Sequence, residues 1–345
     1  MTYDKLGTTD LKVSKICLGT MTFGEQNTEQ EAHQQLDYAV DHDVNFVDTA
    51  EMYAVPSTKE NTGLTEKYIG TWIAKGNRDK IILATKVTGP SAGLQYVSNN
   101  LGFSKNRIRE AIEGSLQKLQ TDYVDLYQLH WPERSTNFFG KRGYVHNPQD
   151  EWEDNFEDVV TTLDDLIREG KIRHWGISNE TPWGTMKYLS AADHLAKPRP
   201  VSVQNPYSLL NRTFEVGMAE VSLREKIGLL VYSPMAFGLL SGKYHKKKDT
   251  DFSRLNKYKQ MSRYDSEVCF EATGKYLAIA ERYEMSLAQM SLAFINQQSF
   301  VTSNIIGATT MAQLKENIES ARVVIGDEQL AEIEAVHNLM PNPAP

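Results

Sequence analysis

Cysteine is scarce in this sequence: Cys17 and Cys269 are the only two in 345 residues. Secreted domains that depend on covalent staples use cysteines in pairs, so two distant thiols in apolar surroundings point to a reducing compartment. Basic excess is missing too. Lysine and arginine number 37 against 45 acidic residues, a net charge of −8, which argues against nucleic acid or an anionic membrane as the main partner. The opening MTYDKLGTTDLKVSK has no apolar core of a signal peptide, and no run approaches the ~20 apolar residues of a membrane span. Histidines and acids show no metal-ligand spacing, so no metal is implied. The expectation is a cytoplasmic protein, a monomer or weak oligomer, with a small-molecule partner.

What the sequence does contain is a core and a rhythm. A hydrophobic fraction of 40% with 10% aromatics is that of a globular chain. Short apolar, β-rich runs alternate with longer helix-patterned segments. Candidate strands are ICLGT (16–20), VNFVD (44–48), IILATKV (81–87), YVDLYQLH (123–130), IRHWGIS (172–178), VSVQN (201–205), LLVYS (229–233) and NIIGA (304–308). Helical patterns fall at 28–42, 63–75, 104–119, 156–169, 182–194, 213–226, 266–283 with 286–297, and 311–321, and a further helix at 327–339 ends the chain. Thr28 and Glu31 have capping-box spacing, as do Thr310 and Gln313. Ser104 precedes an apolar face, and Thr181-Pro182 is a cap followed by proline at the first helical position. Gly76, Gly170 and Gly228 punctuate passages from helix to strand, where a left-handed residue is often needed.

Eight β-then-α units without a composition break predict an α/β fold of the (β/α)8 TIM-barrel type, a single domain over 1–345. The rival, a doubly wound sheet, announces itself with a glycine-rich turn after its first strand. Here GTMTFGEQ follows, with no third glycine to complete that fingerprint. Around its GTTD turn the N-terminal segment alternates as an N-terminal β-hairpin would, placed to plug the lower end of the barrel. Two connections are long, 131–155 and 234–260, and both belong to the carboxyl-end face where barrel enzymes carry their sites.

That face can be read for chemistry. In FVDTAEMYAVPSTKE a buried-strand pattern stops at Asp48 and a polar segment with Glu51 and Tyr53 begins. Lys86 ends the third candidate strand and His130 the fourth. A tyrosine has a pKa of about 10, too high for easy proton donation near neutrality. A lysine ammonium beside it lowers that value, and an aspartate keeps the ammonium charged and oriented. Neutral histidine can donate a hydrogen bond to a carbonyl oxygen. The four together suit protonation of an oxygen on which negative charge develops. Singly, each has a plainer reading: Asp48 as a turn cap, Tyr53 as packing, His130 as a core hydrogen-bonder. Glu51 has no assigned chemistry and is expected to be structural or at the pocket edge.

DTAEMY, the lysine of ATKV and the histidine of LYQLHWP resemble the motifs of the aldo-keto reductases. The resemblance extends through KLGTTDLKVSKICLGTMTFG, WGISNE, VQNPYSLLNR and YSPMAFGLLSGKY, and is nearest the branch with bacterial Tas-type reductases and potassium-channel β subunits. It implies a TIM barrel using NADPH/NADP+ to reduce aldehydes or ketones, with Tyr53 as general acid, Lys86 and Asp48 tuning it, and His130 orienting the carbonyl. It further places Ser178, Asn179 and Gln204 on the nicotinamide carboxamide and Tyr232 under the ring. Phosphate and adenosine contacts carried over in the same way are Ser233, Leu239, Lys243, Arg254, Gly307, Thr309, Gln313, Glu316 and Asn317. Where many relatives have a basic residue at the start of the last of these segments, this chain has Gln313, which leaves Lys243 and Arg254 as the cations. The nearby run Lys246-Lys247-Lys248 reads as a solvated loop.

Aromatic residues of 131–155, namely Trp131, Phe138, Phe139, Tyr144 and Trp152, are candidates to line a substrate pocket for an apolar or aromatic carbonyl compound. Two other classes stay open: a Schiff-base barrel with Lys86 as nucleophile, and an NADPH-binding regulatory subunit with weak reductase activity.

Overall fold

Eight strands close into a parallel ring in the computed structural model, which describes residues 1–141, 143–246, 254–258 and 262–344. Two short strands come first, β1 (Tyr3–Lys5) and β2 (Lys12–Ser14), paired antiparallel as the expected hairpin. The ring follows as β3 (Ile16–Gly19), β4 (Phe46–Asp48), β5 (Ile82–Val87), β6 (Val124–Leu129), β7 (Ile172–Ser178), β8 (Ser202–Pro206), β9 (Gly228–Tyr232) and β10 (Val301–Ile306). Each pairs with the next, and β10 returns to β3 with Asn304 opposite Ile16.

Parallel neighbours need long crossovers, and helices supply them. They are α1 (Glu29–Asp41), α2 (Leu64–Ile73), α3 (Lys105–Leu119), α4 (Phe156–Arg168), α5 (Pro182–His194), α6 (Met218–Glu225), α7 (Arg254–Lys257), α8 (Glu267–Arg282), α9 (Leu287–Asn296), α10 (Met311–Glu319) and α11 (Asp327–Leu339). Among the described residues, no helix is long and apolar enough to cross a membrane.

The strands are buried on both faces because the pleat sends alternate residues to two different cores. Val47, Leu83, Val87, Tyr127, Leu129, Ile177 and Val203 pack outward with apolar helix residues such as Ile108, Ile112 and Leu163. Cys17, Phe46, Ala84, Leu126, Leu230 and Ile305 form a separate cluster, into which the hairpin inserts Leu6 and Val13. The hairpin therefore closes one end of the barrel with apolar side chains.

Helix starts follow their caps. Thr28 and Glu31 form the reciprocal capping box, Ser104 accepts from Arg107 N, and Thr181 caps a helix whose first residue is Pro182. Ser286 and Gln289 form a second box. Thr310 caps α10, but the Gln313 side chain accepts from Thr309 N rather than completing the box with Thr310.

Three further expectations are corrected. Strand β10 begins at Val301, three residues before NIIGA, because Thr302 and Ser303 are buried polar residues that do not look like a core strand. The pattern at 213–226 is broken at Gly217 into a 3-10 turn and α6. Gly76 and Gly170 are left-handed, at φ +87 and +74, but before β9 that role belongs to Lys226 at φ +56. Gly228 is needed for space instead, since a Cβ there would lie 2.2 Å from Thr302 Oγ1.

Candidate active site

At the end of the barrel opposite the hairpin, the inward residues change from apolar to ionised. Asp48 is the last residue of β4, and Lys86 lies near the end of β5, beside Gln128 of β6 in the strand register. Lys86 is fully buried, and its Nζ donates to Asp48 Oδ2 at 2.6 Å, to the Thr49 carbonyl at 2.8 Å and to Tyr53 Oη at 3.5 Å. Tyr53 returns over the pair because the chain turns directly after β4, with Tyr53 N bonded to the Ala50 carbonyl and Gly63 N to the Tyr53 carbonyl.

His130 follows β6, its ring centroid 5.8 Å from that of Tyr53. All four candidate residues are thus brought together. Burial by itself pulls the Lys86 pKa down. The Asp48 charge and the contact with Tyr53 outweigh it, so the net shift is upward and the ammonium stays charged. Burial, then the charge of Lys86, pushes His130 well below the usual histidine value, so its imidazole is neutral. Its Nδ1 is buried and has no partner among the described residues.

Glu51 does not join them. It is buried and ion-paired with Arg107, and its Oε1 accepts from Thr88 N at 2.9 Å. That ties the loop after β4 to the backbone just beyond Lys86, which is the structural role expected.

The polar residues of the neighbouring strands form a second group. Ser178 Oγ donates to the Gln204 carbonyl at 2.8 Å, and Asn179 Nδ2 donates to the His130 carbonyl at 2.9 Å. Asn179 holds a left-handed φ of +56 and accepts from the Tyr232 hydroxyl at 2.6 Å. The Asn179 oxygen keeps a second lone pair beside the Tyr232 hydroxyl. Removal of water raises the pKa of that phenol. Gln204 Nε2 donates to Asp48 Oδ1 at 2.9 Å and to Gln128 Oε1 at 3.1 Å. Gln128 escaped the sequence reading, although a glutamine in a strand buried along its whole length is the same signal that singled out Lys86.

The remaining candidates lie along the rim. Gly307 is exposed at the end of β10, with no atom within 4 Å of where a Cβ would stand. Thr309 and Gln313 are bonded to one another, Asn317 Nδ2 donates to the Gly307 carbonyl at 3.2 Å, and Glu316 is half-buried on the same helix. Ser233 begins the turn after β9 at φ +52, and Lys243 Nζ lies 5.3 Å from the Tyr244 ring. The Leu239 side chain is fully buried in the core, which leaves only its backbone for a ligand. The Arg254 side chain, Lys247 and Lys248 lie outside the described residues.

Of the aromatic candidates, Trp131, Phe139 and Phe138 continue outward from His130. Successive centroid separations are 4.8, 5.7 and 5.2 Å. Trp152 packs on Phe156 instead, and Tyr144 is exposed beside His146.

An aspartate, a lysine, a tyrosine and a histidine therefore meet at the carboxyl end of a (β/α)8 barrel. The aldo/keto reductase family model matches residues 15–338, and the chain belongs to that family. It is 49% identical over 352 residues to protein tas of Escherichia coli (strain K12), covering 100% of both chains. Identity is 33% over 353 residues to the uncharacterized oxidoreductase YrpG of Bacillus subtilis (strain 168), covering 99% of this chain and 97% of that one. With a probable voltage-gated potassium channel subunit beta of Arabidopsis thaliana it is 31% over 330 residues, with 94% and 92% covered.

Proposed function

We propose that this chain, acting as one cytoplasmic domain over residues 1–345, uses NADPH to reduce an aldehyde or ketone, with Tyr53 giving the proton to the carbonyl oxygen. The observation that carries this reading is the contact of one buried ammonium, Lys86 Nζ, with both Asp48 and Tyr53. An ammonium against a phenol favours the phenolate and eases proton release. Neutral His130 adds an N–H donor for the same oxygen, and with no acceptor beside Nδ1 the proton is better carried on Nε2. Two donors meeting a developing oxyanion in a water-poor site is the kind of stabilisation that usually dominates such catalysis.

The residues present fit a nicotinamide dinucleotide. Among the described residues nothing donates to Gln204 Oε1, which leaves an acceptor for a carboxamide N–H. Gly307 leaves open space beside the first turn of α10, whose amides and dipole favour a phosphate. Ser178, Asn179, Gln204 and Tyr232 would hold the nicotinamide end. Ser233, the Leu239 backbone, Lys243, Arg254, Gly307, Thr309, Gln313, Glu316 and Asn317 would hold the rest. Bound there, the reduced nicotinamide supplies hydride to the carbonyl carbon. Trp131, Phe139 and Phe138 then favour an apolar or aromatic substrate.

NADPH consumption by the purified protein with a panel of aldehydes and quinones tests the reading; failure with all of them sinks it. Tyr53→Phe should keep NADPH affinity yet lose on the order of 10²–10⁴ in turnover, the usual contribution of a positioned general acid. A regulatory subunit with weak turnover is the second reading, drawn from the likeness to the Arabidopsis channel subunit. Stable co-purification with a partner chain would favour it.

A further inference from the structure

Hydrogen bonds below the site converge on a residue to which the proposed reaction gives no part. Gln128 is fully buried on β6, beside Lys86. Its Nε2 donates to Asp48 Oδ1 at 3.1 Å, and its Oε1 accepts from Gln204 Nε2 at 3.1 Å. Gln204 Nε2 also donates to Asp48 Oδ1 at 2.9 Å, which closes a triangle of three side chains. An ionised carboxylate only accepts, so Asp48 draws both amide nitrogens toward itself. Each hydrogen of the Gln204 amide is then committed, one to Asp48 and one to Gln128. A single bond would let the amide swing about its donor; two bonds hold its plane.

We infer that Gln128 is a positioning residue that, together with Asp48, locks the Gln204 amide with its oxygen turned away from them as a fixed acceptor. The inference rests on the reading of Gln204 as a partner of the nicotinamide carboxamide. It makes the pocket selective for a ligand bearing an N–H at that point. Because the same carboxylate is bonded to Lys86, the lock also joins the cofactor end of the site to the proton-donor end.

NADP+ and its 3-acetylpyridine analogue, in which a methyl group replaces the carboxamide NH2, separate this role from mere packing. Their dissociation constants are measured by quenching of protein fluorescence. Wild type should prefer NADP+ by about tenfold, the worth of one well-placed hydrogen bond. Gln128→Met keeps the side chain's length without the amide. It should bind the analogue within about twofold of wild type, with the preference for NADP+ falling below about threefold. Loss of both ligands to the same extent, or an unchanged preference, would overturn the role of Gln128. Wild type that binds neither ligand would overturn the cofactor reading itself.

Should the methionine variant not fold, Gln128→Glu applies the same test through pH. A protonated Glu carboxyl can donate to Asp48 and accept from Gln204. Its ionised form repels Asp48, so the preference should be present at about pH 6 and lost at about pH 9. A preference in Gln128→Glu that does not change with pH would count against the inference.

Discussion

Two adjacent layers inside the barrel stand on the same strands and have opposite characters. The lower holds Phe46, Ala84, Leu126 and Leu230, sealed by Leu6 and Val13 of the hairpin. Two residues further along each strand come Asp48, Lys86, Gln128 and Tyr232. One pleat repeat separates a dry plug from a buried ion pair. Charges taken out of water are costly unless paired and fully hydrogen-bonded, and Asp48 and Lys86 meet that condition through Gln128, Gln204, Thr49 and Tyr53. An apolar core layer and a buried ionised layer are thus stacked as neighbours rather than spread over separate regions.

The sharpest way to break this comparison is Lys86→Met. Turnover should fall on the order of 10²–10⁴-fold as Tyr53 loses its ammonium. Denaturant unfolding should also show a loss of roughly 3–5 kcal/mol, because Asp48 is left buried and without its counter-charge. Steady-state rates at saturating NADPH settle the first part, and retained turnover would detach chemistry from the upper layer. Leu126→Ala acts one step lower, on the strand paired with that of Lys86. It should cost about 2–5 kcal/mol by leaving a cavity, while turnover per folded molecule stays near wild type. Lost turnover in fully folded Leu126→Ala protein would mean that the layers are not separable.

The smallest effect is one of pH. His130 has a folded-state pKa well below its unfolded value of about 6.5, so the unfolded chain binds the extra proton as pH falls. This contribution to stability is present above that value and declines below it, toward the folded pKa. His130→Gln should therefore lose less stability than wild type between about pH 7 and pH 5, read from denaturation midpoints. Equal losses would place the histidine in a wetter setting than its burial indicates. Half-buried His174 and His337 have pKa values shifted the same way, so the comparison must be made against wild type.

Seven of the eight barrel strands were legible within a residue or two, because apolar β-rich runs alternated with capped helical patterns. The eighth was misplaced where polar residues line a buried strand. Asn304 Nδ2 bonds to Asn296 and Ser303 Oγ to the Ser14 carbonyl, and no local sequence rule announces such distant partners. The convergence of Asp48, Tyr53, Lys86 and His130 was legible because ionisable residues stood at or just after the ends of adjacent strands. Gln128 was passed over because only ionisable residues were sought at the strand ends, although a polar amide inside an apolar strand is the same kind of signal. For Leu239 the limit is different: carrying over a position does not say whether backbone or side chain is presented, and here the side chain is buried. The engagement of Tyr232 with Asn179 depends on side-chain rotamers and could not have been read from spacing.

The seam where β10 meets β3 bears on how the chain is made. Asn304 pairs with Ile16, Lys15 Nζ donates to the Val301 carbonyl and Ser303 Oγ to the Ser14 carbonyl, contacts that span nearly the whole sequence. Such long-range closure is slow, since loop entropy is lost before the contacts return it. On the ribosome, a chain that has not yet emitted Val301–Ile306 holds a sheet with two unpaired edges, β3 and β9. Open edges invite pairing with other chains. Pairing of β10 with both β9 and β3 closes the ring and removes both edges together.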